Sequence, residues 1–264
     1  MEKIRVYLLP LGYMWEPKTG KDFEESIGDL DKNPLKRTIS YAVLIRHPKA
    51  QWILFDTGIC SEPQKNWTDY ILENVPVQKK PEHEMEYQLK QIGITPMDIK
   101  HVITSHMHFD HIGNDRLFAK TAEFYVNKKE AEYAYKVVMG SADREKHGWF
   151  VREDVLLERK AVHFIKGDQE LFENVKTIEL PGHTPGEMGL MVHLENKTLL
   201  FTSDAVKFKN NYDGEILRGA FSEKDQQQSI KKIKDLEDEY QAKVFFSHDE
   251  KMLPIYKMAP DFYE

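Results

Sequence analysis

Short apolar runs, each closed by polar or turn residues, recur along the chain. Ile4 to Leu9, Tyr41 to Ile45, Trp52 to Phe55, Val102 to Thr104 and Glu123 to Val126 read as strands. A second set occupies Val162 to Ile165, Val175 to Leu180, Met188 to His193, Thr198 to Thr202 and Val244 to Phe246. Helical patterns lie between them, around Glu84 to Ile92, Lys129 to Val138 and Lys224 to Tyr240. In the last of these, Ile230, Ile233, Leu236 and Tyr240 keep one side apolar, as a helix packed on a sheet requires. Strands followed by a helix occur in both halves, which predicts an α/β fold of two sheet-bearing halves packed as one domain over residues 1–264. Gly12 to Leu35 is polar and turn-rich, and Ser61 to Pro81 carries three prolines. Both read as long surface loops, a length at which loops often carry function.

No run approaches the roughly 20 apolar residues that a bilayer crossing needs, so no membrane partner is expected. The apolar start, Ile4 to Trp15, is broken by Pro10 and Gly12 and lacks a small-residue cleavage site; it reads as the first strand of a cytoplasmic protein. Against 37 Lys and Arg stand 44 Asp and Glu, a net charge of −7, which gives no broad attraction to a phosphate backbone and so no nucleic-acid partner. The lysines at 231, 232 and 234 are followed by Asp235, Glu237, Asp238 and Glu239, the mark of a solvated helix face. A single cysteine, Cys60, excludes an internal disulfide framework and any multi-cysteine metal knuckle. A bound metal must therefore sit mainly on histidine and carboxylate.

The strand Val102 to Thr104 runs into Ser105-His106-Met107-His108-Phe109-Asp110-His111, where four potential metal ligands fall within six residues. In extended chain His106 and His108 project to one side, because strand side chains alternate with period two. Asp110 and His111 lie beyond, where a turn aims them at a second ion. Three later positions each follow an apolar strand: His183 in Pro181-Gly182-His183-Thr184-Pro185-Gly186, Asp204 after Leu199 to Thr202, and His248 after Phe245-Phe246-Ser247. Each alone is an ordinary turn or strand-end residue; with the cluster they complete a two-ion ligand set.

These residues, in this order, resemble the metallo-β-lactamase-fold hydrolases, and among them most of all the N-acyl homoserine lactonases. The likeness rests on the 105–111 segment, on Thr184-Pro185-Gly186 beside His183, and on the closing Phe245-Phe246-Ser247-His248-Asp249; it runs from about Val6 to the end. It implies a metallo-β-lactamase-like αββα sandwich with two divalent ions, expected to be zinc, at one edge. By the resemblance His106, His108 and His183 hold one ion, Asp110, His111 and His248 the other, and Asp204 bridges them. Asp56-Thr57-Gly58 matches the family's early turn, where the aspartate supports a ligand from behind; a plain strand-ending turn is the alternative.

Two ions so held make a hydroxide available near neutral pH and polarise a carbonyl, so opening of a small-molecule lactone is the expected reaction. Asp110 is expected to pass a proton to the leaving alkoxide. The chain departs from the family at Asp204-Ala205-Val206-Lys207-Phe208, where Lys207 stands in the place of a tyrosine that contacts the substrate carbonyl. Lys207 either stabilises the oxyanion as a cation or points to solvent, and Tyr212 is the other residue placed to reach in. Cys60 reads as a bystander thiol. Met14, Trp15, Trp67 and Phe109 either line an apolar wall for an acyl chain or pack within the loops.

Within the same fold, Asp204 argues against β-lactamases, which lack a bridging aspartate, and His108 against flavodiiron proteins, which need a carboxylate there. Only 16 residues follow His248, too few for the helical region of glyoxalase-type thioesterases. RNA-processing members carry additional domains and positive charge. The leading expectation is a lactonase for acyl homoserine lactones, a quenching enzyme for bacterial signalling. Next stands a lactonase for another small ring, such as a pyridoxolactone or a γ-butyrolactone, and then a non-catalytic metal-binding protein. A mixed histidine and aspartate set with a shared carboxylate speaks against the last, because structural zinc sites are usually closed and four-coordinate.

Overall fold

A computed structural model describes residues 2–17, 35–215 and 219–264. Its strands are β1 (Arg5–Pro17), β2 (Leu35–His47), β3 (Gln51–Phe55), β4 (Val77–Gln78), β5 (Ile99–Thr104), β6 (Glu123–Asn127), β7 (Ala161–Ile165), β8 (Gln169–Phe172), β9 (Val175–Glu179), β10 (Met188–His193), β11 (Thr198–Phe201) and β12 (Lys243–Phe245). The α-helices are α1 (Pro63–Asn66), α2 (Asp69–Asn74), α3 (Met85–Gln91), α4 (Lys128–Met139), α5 (Arg152–Val155), α6 (Lys209–Tyr212) and α7 (Glu223–Tyr240). Seven strands form one sheet in the order β4-β1-β2-β3-β5-β6-β7, and five form a second in the order β12-β11-β10-β9-β8.

The apolar runs of the central strands are continuous because both faces of each sheet are covered there; the edge strand β7 leaves Val162 and Phe164 exposed. Along β1, Val6 and Leu8 point into the interior between the sheets, while Tyr7, Leu9 and Leu11 point the other way, onto a cluster that includes Met85 and Leu89 of α3. Val43, Ile45, Ile53 and Phe55 repeat the inward set, with Ala42, Leu44, Trp52 and Leu54 outward. The second sheet answers with Met188, Leu190, Val192, Leu199 and Phe201 inward, and with Met191 and Leu200 outward against Ile230 and Ile233 of α7. Burying each of those two isoleucines contributes about 1.5–3 kcal/mol. Ser222 caps α7 by accepting from the Asp225 N–H at 3.3 Å, and the helix ends where Gln241 turns left-handed at φ 48°. The layers are helix, sheet, sheet, helix.

Several expectations need correction. Tyr240 is not a core anchor of α7: it is 37% exposed, its ring against His193. Val162 to Ile165, grouped with the second set, forms β7, which pairs in parallel with β6 and closes the seven-stranded sheet. The expected loop Gly12 to Leu35 begins and ends as strand, since β1 runs on to Pro17 and pairs with β2 from Leu35; its middle lies outside the described residues. Ser61 to Pro81 is not one loop, because it holds α1, α2 and β4, with Ile71 of α2 fully buried.

Candidate metal centre

The parallel strands β3 and β5 lie side by side, so Asp56 and the segment Ser105–His111 leave the seven-stranded sheet at the same edge. Asp56, held at φ 60°, has its carboxylate against that segment. Its Oδ1 accepts from the Ser105 N–H at 2.7 Å, and its Oδ2 accepts from the Ser105 hydroxyl at 2.7 Å and from His111 Nδ1 at 2.8 Å. With Nδ1 so engaged, His111 presents Nε2 inward as a lone-pair donor. His248 is set the same way by the Ile39 carbonyl, 2.8 Å from its Nδ1. The supporting aspartate is thus more than a turn residue.

The five-stranded sheet brings the other three residues to this edge, after β9, β11 and β12. His183 rides on a turn pressed against α4, where a side chain at Gly186 would put its Cβ 2.2 Å from the Glu130 amide nitrogen. Glu130 is fully buried and ties the turn to the histidine segment, accepting from the Met107 N–H at 3.0 Å and the Gly186 N–H at 3.3 Å. Asp204 follows Ser203, a residue strained to φ 48°. Ser247 donates to Asp204 Oδ1 at 2.7 Å.

All seven residues singled out from the sequence therefore meet. His108 Nδ1 lies 3.1 Å from His106 Nε2 and 3.0 Å from His183 Nε2. His183 Nε2 lies 3.4 Å from Asp204 Oδ2, while Asp204 Oδ1 lies 3.3 Å from His111 Nε2 and 3.0 Å from His248 Nε2. Asp110 Oδ2 stands 3.6 Å from His111 Nε2 and 3.5 Å from His248 Nε2. One carboxylate thus turns one oxygen to each of two groups of donors. In the groups formed by His106, His108 and His183 and by Asp110, His111 and His248, the donor atoms lie within 4.8 Å of one another.

The donor set fits divalent cations. His111 Nε2 and His248 Nε2 are buried with no hydrogen-bond partner among the described residues, and buried polar atoms of that kind need one. Burial, aided by neighbouring histidines, holds His106 and His108 well below the usual imidazole range, and burial brings His183 down to about 4. Their neutral rings are the form that coordinates metal. Burial also opposes charge on His111, but the carboxylates of Asp110, Asp204 and Asp56 outweigh it and raise that ring.

Lys207 does not point to solvent. Its side chain is 12% exposed, with Nζ 2.6 Å from Glu16 Oε2 and 3.7 Å from Asp204 Oδ2. Burial works against the charge, yet Glu16, Asp204 and Asp110 together keep the ammonium above its ordinary range. Tyr212 does not reach in, because its hydroxyl donates to Glu237 on α7. Met14, Trp67 and Phe109 are buried in one cluster with Cys60, Trp67 edge-on to Phe109 at 4.6 Å, so they brace the segment rather than form an open wall; Trp15 is half-buried. Burial pushes the thiol of Cys60 up to about 11, which disfavours the thiolate. Sequence reasoning missed Glu16 and Glu130: a lone glutamate has no spacing to mark it, and Glu16 lay in a stretch read as loop.

Comparison with known proteins places the fold in one superfamily. The family model of the metallo-beta-lactamase superfamily matches residues 35–248. The N-acyl homoserine lactonase AttM of Rhizobium radiobacter is 31% identical over 232 residues, covering 83% of this chain and 85% of its own. The N-acyl homoserine lactonase AiiA of Bacillus thuringiensis subsp. kurstaki is 29% identical over 202 residues, covering 75% and 76%. A solved N-acyl homoserine lactone hydrolase, with the product N-hexanoyl-L-homoserine at its catalytic metal centre, superposes with a TM-score of 0.81 at 24% identity over 100% of both chains.

Proposed function

The chain belongs to the metallo-beta-lactamase superfamily, and from that premise we propose that it is a metal-dependent hydrolase that opens the ring of N-acyl homoserine lactones, the reaction of a quorum-quenching enzyme. The observation that carries this reading is the divided carboxylate of Asp204, one oxygen toward His183 and the other toward His111 and His248. His106, His108 and His183 would hold one cation, Asp110, His111 and His248 a second, and Asp204 both. Zinc is the ion we assign, as imidazole and carboxylate donors suit it. When bound, such ions make water nucleophilic near neutral pH and polarise an ester carbonyl.

The chain's own groups do the rest. Lys207, fixed by Glu16 beside Asp204, sets a cation at the reaction centre, where it offsets the charge that develops on the carbonyl oxygen. Asp110 is the carboxyl assigned to hand a proton to the leaving alkoxide. Because Glu16 already balances Lys207, the site favours a neutral lactone over a ring bearing an anionic group. The two sheets share one apolar interior, which supports residues 1–264 acting as one domain, and a lone unpaired Cys60 accords with a cytoplasmic setting.

The test is a panel of lactones offered to metal-replete protein, with products read by chromatography and mass detection. The expected product is the ring-opened acid, one water heavier than its substrate, which recloses on acidification. Protein loaded with two ions that opens no acyl homoserine lactone, yet hydrolyses a phosphodiester or a glutathione thioester, overturns the assignment.

A further inference from the structure

Glu187 is a buried carboxylate that neither the fold nor the reaction above uses. Its side chain is fully buried, and neither oxygen makes a hydrogen bond of ordinary geometry among the described residues. Its backbone is pinned, since its carbonyl accepts from the Leu180 N–H at 2.9 Å and the next amide donates to the Ser105 carbonyl at 3.0 Å. The side chain is therefore held inside, where an unsatisfied carboxylate is costly. Burial, together with Asp204 and Glu130, pushes its carboxyl well above the usual carboxylate range, while His111 and the Ser203 hydroxyl, itself without a well-formed hydrogen bond, work the other way; His106 Nδ1 lies 3.9 Å from Oε1. His106 turns its other nitrogen, Nε2, toward His108, so its ring stands between Glu187 and the first group of donors.

The two groups are unequal in charge. Asp110 and one oxygen of Asp204 face the second, and Asp56 stands behind its His111. Three neutral imidazoles and the other oxygen of Asp204 make up the first. The Ser105 hydroxyl meets His106 Nδ1 at 3.1 Å but gives its own hydrogen to Asp56, so it offers His106 an acceptor without a charge. We infer that Glu187 serves the first group from behind His106: it orients that ring and, once His106, His108 and His183 hold a cation, becomes the carboxylate that offsets it. This makes it a positioning residue, and the inference rests on the reading of those three histidines as metal ligands. A carboxylate behind a metal-bound imidazole raises ligand basicity, and its loss typically lowers metal affinity 10–100-fold.

The experiment is competition of zinc between the protein and a chromophoric chelator, for wild type, Glu187→Gln and Glu187→Met, with thermal unfolding of each metal-free form. The expected result is two ions on wild type and, in both variants, a roughly 10–100-fold weaker hold on one ion with the other unchanged. The metal-free variants should melt no lower than wild type, because an unsatisfied buried carboxylate has been removed. Unchanged affinities, or a lower melting temperature of the metal-free variants without an affinity change, would make Glu187 merely structural and overturn the proposal. Equal weakening of both ions overturns its assignment to the first group. Wild type that binds fewer than two ions overturns the two-ion reading, and this inference with it.

Discussion

Lys207→Ala removes a buried cation wedged between two carboxylates. Its ammonium stands 2.6 Å from Glu16 and 3.7 Å from Asp204, and the Glu16 side chain is only 20% exposed. Truncation leaves Glu16 without its partner beside Asp204. Breaking a buried pair costs about 3–5 kcal/mol, and the partial exposure of Glu16 places this case near the lower figure. The catalytic loss is separate. A group that stabilises the developing oxyanion is worth ~10²-fold in kcat, or about 2.7 kcal/mol of barrier, whereas ground-state binding of a neutral lactone changes little. Steady-state kinetics on metal-replete protein should therefore show a kcat roughly two orders of magnitude lower with KM nearly unchanged, and urea unfolding should show the stability loss. Removing Glu16 as well, in Lys207→Ala/Glu16→Gln, should restore much of the stability but none of the turnover, since the stranded carboxylate is gone while the cation is still missing. A Lys207→Ala variant with wild-type kcat would refute the catalytic part, and wild-type stability would refute the pairing.

Asp204→Asn, measured by kcat/KM and metal content, should lose at least about 10² in kcat/KM and release at least one ion, because the amide carries no negative charge and keeps an oxygen for only one of the two groups; full metal with normal turnover would show that Asp204 is not shared. Asp154 supplies a pH test remote from the centre. Burial pushes its carboxyl up to about 6 although it accepts from Arg116 at 3.0 Å. The folded chain then holds a proton that the unfolded chain releases near pH 4, so stability falls as pH rises between about 4 and 6, by on the order of 3 kcal/mol. Asp154→Asn should flatten that part of the melting-temperature profile, and identical profiles for the two proteins would count against it.

The central strands were legible because they are apolar on both faces, so Ile53 and Leu54 both mark β3 although they serve opposite sides of the sheet, whereas the short β4 and the polar β8 gave no such signal and were missed. The same uniformity hid which sheet a strand joins, and β7 was grouped wrongly for that reason. The run Ile4 to Trp15 was readable as the first strand across the register shift between Pro10 and Gly12, and only the polar end of β1, Glu16 and Pro17, fell outside it. The seven donors were legible because histidine and aspartate at strand ends declare their chemistry. Glu16, Glu130 and Glu187 were not, since each matters only through a neighbour 23 to 191 residues distant that folding brings beside it, or, for Glu187, through a histidine 81 residues earlier.

The donors of the centre hang from both sheets: His106 to His111 follow β5, whereas His183, Asp204 and His248 follow β9, β11 and β12. Neither half alone carries a complete set around Asp204. If these residues ligate as proposed, a complete set exists only once the two sheets have docked on their apolar interior, so loading of the ions would complete the assembly. Ions held by these residues would act as a clasp across the seam at that edge, and their affinity would add to the work of prising the sheets apart. Chelation would then loosen the molecule first at its working edge, leaving the opposite end of the sandwich shut.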